Sequence, residues 1–277
     1  MKRESVTPGA DQTGMKSSAR KAVWVDVRES HERYLREMGC QVVHASLHER
    51  AGWTQEFVLE YGGRVVGHGS LLVGGPGTGT RTVFEFFVEP DARAGMFRLF
   101  STLVRESGAT HVEAQTNDRW LAPMLSTCGR EVEAEKLLFA DKVTTEFPAR
   151  GAVFRKARAA DAARVFAHEF EPVGDYVLEV DEEIVATGGV MYHYNPPYGD
   201  VFMEVAPRFR RRGLGAYLVQ ELKRVCREAG KVPCARCDPN NVASRQTCLR
   251  AGFLPVGLSC AGGSRECGSG AVVERIS

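Results

Sequence analysis

Along this chain two spacings of apolar residues alternate, and the alternation occurs twice. Val58–Leu72 lines up without gaps on Val177–Met191, with five identities in fifteen positions. Each stretch reads as a strand, a two-residue polar turn (Gly62-Gly63 or Asp181-Glu182) and a second strand. A further apolar run follows in both, ending in proline: Phe84–Pro90 and Val201–Pro207. The period then lengthens from two to three or four, as it does when a strand gives way to a helix. Met96, Phe97, Phe100, Leu103 and Val104 form one helical stripe, stopped by Gly108. Leu214, Leu218, Leu222 and Val225 form the other, with Gly230 placed to cap it. Downstream of each come a short strand, an asparagine (Asn117; Asn240 and Asn241), a short helix, a glycine (Gly129; Gly252) and a closing hairpin.

Such self-similarity predicts two tandem copies of one α/β unit, each a mixed sheet with helices packed on it. The length of 277 residues suits two domains. Residues 1–20 are expected to be a disordered tail, 21–147 the first copy and 151–277 the second. The linker runs through Thr144–Gly151, where Pro148 and Gly151 punctuate.

Charge and composition narrow the function. The 36 basic and 35 acidic residues nearly cancel, which argues against a nucleic-acid partner. There is no apolar run of membrane-spanning length, and no apolar core behind the charged start Met1–Lys21, so neither a membrane nor a secretory signal is expected. The expected location is cytoplasmic, where eight cysteines would be reduced thiols. Cys234 and Cys237 have the CxxC spacing of a zinc site, and Cys260 and Cys267 would complete a set. The pair falls in a predicted strand, however, where side chains three apart point to opposite faces. Buried apolar thiols and no metal are therefore expected. His44, His68 and His111 show no ligand spacing either.

The most informative segment is Val205–Ala216, which joins a strand to the start of an amphipathic helix. Gly213 and Gly215 permit a tight turn and close approach of a ligand to main-chain N–H groups. The helix start supplies unpaired donors and partial positive charge, and Arg210, Arg211 and Arg212 add forked donors. Together these suit a diphosphate. No Gly-Lys-Ser/Thr follows the turn, and Leu218 stands where a dinucleotide fingerprint needs its third glycine.

What remains is Arg-x-x-Gly-x-Gly, filled by Arg210, Gly213 and Gly215. It resembles the pyrophosphate-binding motif of the GNAT superfamily of N-acetyltransferases. Asn241–Phe253 is similar to that superfamily's second signature, an asparagine followed by a short helix ending in Gly-Phe. The likeness spans about Val153 to Ile276. It implies tandem GNAT-like acyl-CoA N-acyltransferase domains, with acetyl-CoA as co-substrate and the second copy catalytic. It further implies that Met203 and Val205 border the pantetheine arm, that Arg210, Arg211, Arg212, Gly213, Leu214, Gly215 and Ala216 hold the diphosphate, and that Asn241 bonds the arm. The first copy departs from the pattern: Pro90 to Gly108 is five residues shorter than Pro207 to Gly230, and offers only Ala92–Met96 at the turn. It is expected to be a degenerate, substrate-shaping domain.

The resemblance implies acetyl transfer to a primary amine by direct attack in a ternary complex. Asp200 and Glu204, on or before the cofactor strand, are the candidate bases. Tyr194 and Tyr198, in an aromatic loop leading into that strand, are candidates to protonate the leaving thiolate. Cys248 stands where many members carry a tyrosine, and is either a proton donor or a packed apolar residue. The first helix of the second copy, Asp161–Phe170, is short, so the other copy would supply part of the acceptor wall. The acceptor is a small-molecule or peptide amine. The first copy would cover the surface on which single domains pair, so a monomer is expected, with a homodimer as the alternative. The competing function is a non-catalytic acyl-CoA-binding or interaction protein on the same fold.

Overall fold

Two-residue turns set the register of each half. Gly62 and Gly63 have φ of 59° and 80°, and Asp181 and Glu182 have 48° and 62°. Positive φ at both central residues is the turn geometry that matches the twist of paired strands. The turns join β2 (Thr54–Tyr61) to β3 (Arg64–Leu72), and β8 (Tyr176–Val180) to β9 (Glu183–Met191). The structure, a computed structural model, describes residues 15–75, 79–149 and 151–265. Residues 1–14 of the expected tail, and Cys267, lie outside them.

The element order repeats as expected. In the first half β4 (Thr82–Val88), α2 (Met96–Ser107), β5 (His111–Gln115) and α3 (Leu121–Cys128) follow the turn. In the second half the counterparts are β10 (Tyr198–Val205), α4 (Leu214–Glu228), β11 (Val232–Cys237) and α5 (Val242–Arg250). Gly108 ends α2 in the left-handed region. Gly230 ends α4 at φ 69°, with its N–H on Arg227 O and that of Lys231 on Cys226 O. Before these lie β1 (Ser17–Ala22) and α1 (Trp24–Met38) in the first half, and β7 (Val153–Lys156) in the second. One core lies under α2 and α3, around Phe86, Leu99, Phe100 and Leu103. The other lies under α4 and α5, around Leu178, Leu218, Leu222 and Phe253.

Several expectations are corrected. Each half closes on one long strand, not on a hairpin: β6 (Gly129–Asp141) and β12 (Phe253–Ser264). These pair with each other from Phe253↔Asp141 to Ser264↔Gly129. β12 then pairs with β5 of the first half, and β6 with β11 of the second. The halves thus exchange their last strands, giving one twelve-stranded sheet in the order β1-β2-β3-β4-β5-β12-β6-β11-β10-β9-β8-β7. Pro255, Gly257 and Gly263 fall at irregularities of this ladder, between Pro255 and Gly257 and between Ala261 and Gly263.

A strand also falls inside the expected tail, where β1 adds to the edge of β2 from Ser17↔Tyr61 to Ala22↔Glu56. Only Ala19 of that strand is buried, which leaves almost no apolar signal to read. Finally, Asp161–Phe170 is not a helix. A single 3-10 turn spans Ala159–Ala163, and Asp161 is held there by Arg155 at 2.6 Å. Phe97, placed on the α2 stripe, is 44% exposed, and Leu99 takes the inward position.

Candidate functional site

The second half opens where two parallel strands part. β10 pairs with β11 only over Tyr198↔Val232, Gly199↔Pro233 and Asp200↔Cys234, although β10 runs on to Val205 and β11 to Cys237. The other edge of β10 stays paired with β9 through Val205↔Ala186. Ala206 donates its N–H to Val185 O on that side. By the two-residue alternation of a strand, the main-chain groups of Val205 and Met203 therefore face the gap.

Beside the gap the chain turns into α4. Arg211 (φ 64°) and Gly213 (φ 82°) are both left-handed, and Gly213 is the N-cap, with no side chain capping the helix. Among the described residues, the N–H groups of Gly213, Leu214 and Gly215 have no backbone acceptor. Arg211, Arg212 and Arg250 form no ion pair among the described residues, so three guanidinium groups stand unneutralised around an open helix start. This is the electrostatic arrangement of an anion site.

The cleft so formed has a volume of about 660 Å³. Of the ten residues expected to hold the cofactor, Met203, Val205, Arg210, Arg211, Gly213, Leu214, Gly215, Ala216 and Asn241 line it. Arg212 lines an adjoining hollow of about 370 Å³, which shares Arg211, Gly213 and Arg250 with the cleft and is bordered by the linker residues Phe147, Pro148 and Ala149. Arg210 braces the turn: its Nε donates to Val205 O at 3.0 Å. Asn241 caps α5, its Oδ1 accepting from Ser244 N–H at 2.9 Å.

The expected proton-transfer residues fare differently. Glu204 lines the cleft, but its carboxylate accepts the N–H groups of Glu169, Phe170 and Glu171 at 3.0, 3.1 and 3.0 Å. Burial raises its pKa, yet those three donors and nearby His168 outweigh it and hold the group below the usual carboxylate range. It is an anchor for the loop and a weak base. Asp200 sits at the fork but is buried, paired with Arg236 at 3.2 Å and His193 at 3.3 Å, and does not line the cleft. Tyr194 is buried against Val43, Leu138 and Cys234, and Tyr198 donates its hydroxyl to Gly39 O at 2.9 Å. With Asn195, which accepts Val42 N–H at 2.7 Å, they dock the aromatic loop on the first half and lie outside the cleft. Cys248 faces the core of the second half, and burial pushes its thiol up to about 12, so it packs as an apolar residue.

Sequence reasoning missed Glu171. This residue lines the cleft, and its carboxylate makes no hydrogen bond or ion pair among the described residues. Burial, the nearby Asp200 carboxylate and that of Glu204 push its pKa up, against Arg236 and Lys136. Nothing in the irregular Val165–Asp175 segment marks it in the sequence; the loop geometry imposed by Glu204 brings it in.

The equivalent place in the first half is filled differently. β4 and β5 also part after Thr82↔His111 and Val83↔Val112, but Phe87 and Arg93 stand where the second half has Glu204 and Arg210. Trp120 packs edge-on against Phe87, and the Arg93 guanidinium lies 3.8 Å from its ring centre. Elsewhere, Cys234 and Cys237 lie on β11 in different cores, as the strand spacing requires. Cys128 is disulfide-bonded, which corrects the expectation of eight reduced thiols. Among the described residues no helix is long and apolar enough to cross a membrane.

Parted parallel strands beside an uncapped, arginine-ringed helix start define an α/β fold with an open anion site at one strand edge. Residues 141–253 match the acetyltransferase (GNAT) family. The fold is similar over 90% of the chain and all of the other to a GNAT-family acetyltransferase from Colwellia psychrerythraea, at 13% identity and TM-score 0.65. A GCN5-related N-acetyltransferase from Sphaerobacter thermophilus is similar over 89% of this chain and 95% of its own, at 15% identity and TM-score 0.53. A tandem GNAT protein from the clavulanic acid biosynthesis pathway, solved without AcCoA, matches over 92% and 100%, at 15% identity and TM-score 0.50. No curated protein matches the sequence. Family and fold support acyl transfer in general.

Proposed function

We propose that this protein is an N-acetyltransferase that moves an acetyl group from acetyl-CoA to a primary amine, with its second half catalytic. The observation that carries this is the gap between β10 and β11 ending at an uncapped α4 with unpaired Arg211, Arg212 and Arg250. The α4 N–H groups would take the diphosphate, and the edge of β10 the pantetheine arm. The N–H of Val205, facing the gap, would stabilise the oxyanion of the tetrahedral intermediate. Glu171, an unpaired carboxylate with a raised pKa in the cleft, would take the proton from the attacking ammonium. Glu204 would position Glu171 through the loop it holds. The first half is a degenerate copy with Trp120 in place of a cofactor, and serves to shape the acceptor side. The acceptor is a small-molecule or peptide amine. The chain works as a cytoplasmic monomer without a nucleic-acid or membrane partner.

The test is release of free CoA thiol from acetyl-CoA across a panel of primary amines. Turnover with one of them is the expected result. Tight acetyl-CoA binding with no turnover on any would place the protein in the competing class of acyl-CoA-binding proteins. No binding at all would end both.

A further inference from the structure

The first half buries a cluster that acyl transfer does not use. Three histidines converge on one carboxylate: His31 Nδ1 is 2.6 Å and His68 Nε2 2.5 Å from Glu85 Oε1, and His48 Nε2 is 3.4 Å from Glu85 Oε2. Glu85 is 1% and His68 0% exposed, and the side chains of His31 and His48 are 8% and 3% exposed. The four come from α1, the turn Ala45–Glu49, β3 and β4, so no spacing along the chain announces them.

We propose that His31, His48, His68 and Glu85 form a structural site for a zinc-class divalent transition-metal ion. The donor atoms of His31, His68 and Glu85 all lie within 4.8 Å of one another. Around tetrahedral zinc, with bonds of about 2.0–2.1 Å, neighbouring donors sit about 3.3 Å apart. The two contacts to Oε1 need to open by less than about one ångström to reach that spacing, and His48 faces the other oxygen of the same carboxylate at 3.4 Å, so a carboxylate spanning the ion would bring His48 in as the third imidazole.

The outer groups fit the same purpose. His68 and His48 each turn Nε2 to the centre and anchor Nδ1 outside it. Ser30 Oγ holds His68 at 2.8 Å, and Glu56 Oε1 holds His48 at 3.1 Å, with Ser70 bonding the other oxygen of Glu56. Ring nitrogens fixed in this way are characteristic of metal-bound imidazoles. Trp24 closes the site, stacked on His48 at 4.5 Å and edge-on to His31 at 5.0 Å. Imidazole donors disfavour magnesium and calcium, which take oxygen ligands. A closed shell with no open position makes the site structural. The ion would pin α1 and the following turn to the sheet. The second half has Phe202 and Thr187 at the positions of Glu85 and His68, and so has no counterpart.

The full chain, purified without chelator and incubated with zinc sulfate, is expected to carry one zinc per chain by elemental analysis after desalting. Stripping with dipicolinate should lower Tm by several degrees, and one equivalent of zinc should restore it. Cobalt should replace zinc with visible d–d absorption. Glu85→Gln and His68→Gln should lose the metal, while Gly213→Ala should keep it. Because those variants remove buried partners, the decisive measurements are on the parent chain. Parent protein that retains no zinc or cobalt, with Tm unmoved by either, overturns the proposal whatever the acyltransferase assay shows.

Discussion

Replacing Gly213 with alanine separates strain in the phosphate turn from mere loss of stability. Gly213 sits at φ 82°, and a Cβ there meets nothing within 4 Å. The substitution therefore creates no clash. It charges the chain only the left-handed penalty of an L-residue, about 1–2 kcal/mol. Gly230, at φ 69° and likewise with nothing within 4 Å of a Cβ, carries the same penalty at the other end of α4. The two are separated by the length of a fifteen-residue helix, about 22 Å. Both variants should lose the same stability, about 2–4 °C in Tm per kcal/mol for a chain of this size. Only Gly213→Ala should relax the turn out of its binding shape. Acetyl-CoA must then restore that shape, and its Kd should rise about 5–30-fold, the equivalent of 1–2 kcal/mol. Titration calorimetry beside thermal unfolding reads both quantities. If the two variants bind acetyl-CoA equally well, or lose affinity equally, α4 does not cradle the diphosphate.

Three further outcomes follow from the geometry. Glu171→Gln should lower kcat about 100-fold or more while leaving acetyl-CoA affinity in place. It should also remove the acidic limb of the kcat/KM profile, which in the parent rises with pH through a carboxyl pKa above the ordinary range. Glu204 is ionised below the usual range in the folded state, so its contribution to stability is full above the unfolded carboxylate pKa. That contribution fades as pH falls through the lowered value, and Glu204→Gln should unfold more easily at neutral pH with a flatter acid dependence. Lys223→Met should cost about 3 kcal/mol in chemical denaturation. It strips Asp141 of a 2.7 Å partner and leaves Val143 O and Ala251 O without their buried donor.

Local signals in the sequence carried much of this fold. Paired polar turns, prolines after β4 and β10 and glycines after α2 and α4 each act within a few residues, and all stand where they were expected. The turn from β10 into α4 was legible for the same reason, since Arg210 to Ala216 is one continuous stretch. The strand exchange was not, because nothing in Gly129–Asp141 or Phe253–Ser264 says whether each pairs with itself or across the halves. Tyr194 and Tyr198 lie outside the cleft because their loop serves contacts with residues 39–43, more than 150 positions away. Glu171 and the cluster at Glu85 escaped notice because each is assembled from separate elements. Their roles depend on which groups the fold brings alongside.

The exchange of β6 and β12 also orders events during synthesis. β5 of the leading half has no neighbour on its outer edge until residues 253–264 have been made and laid between it and β6. The nascent leading half would wait on the ribosome with an open edge, and a premature stop before Phe253 would strand both halves, not only the trailing one.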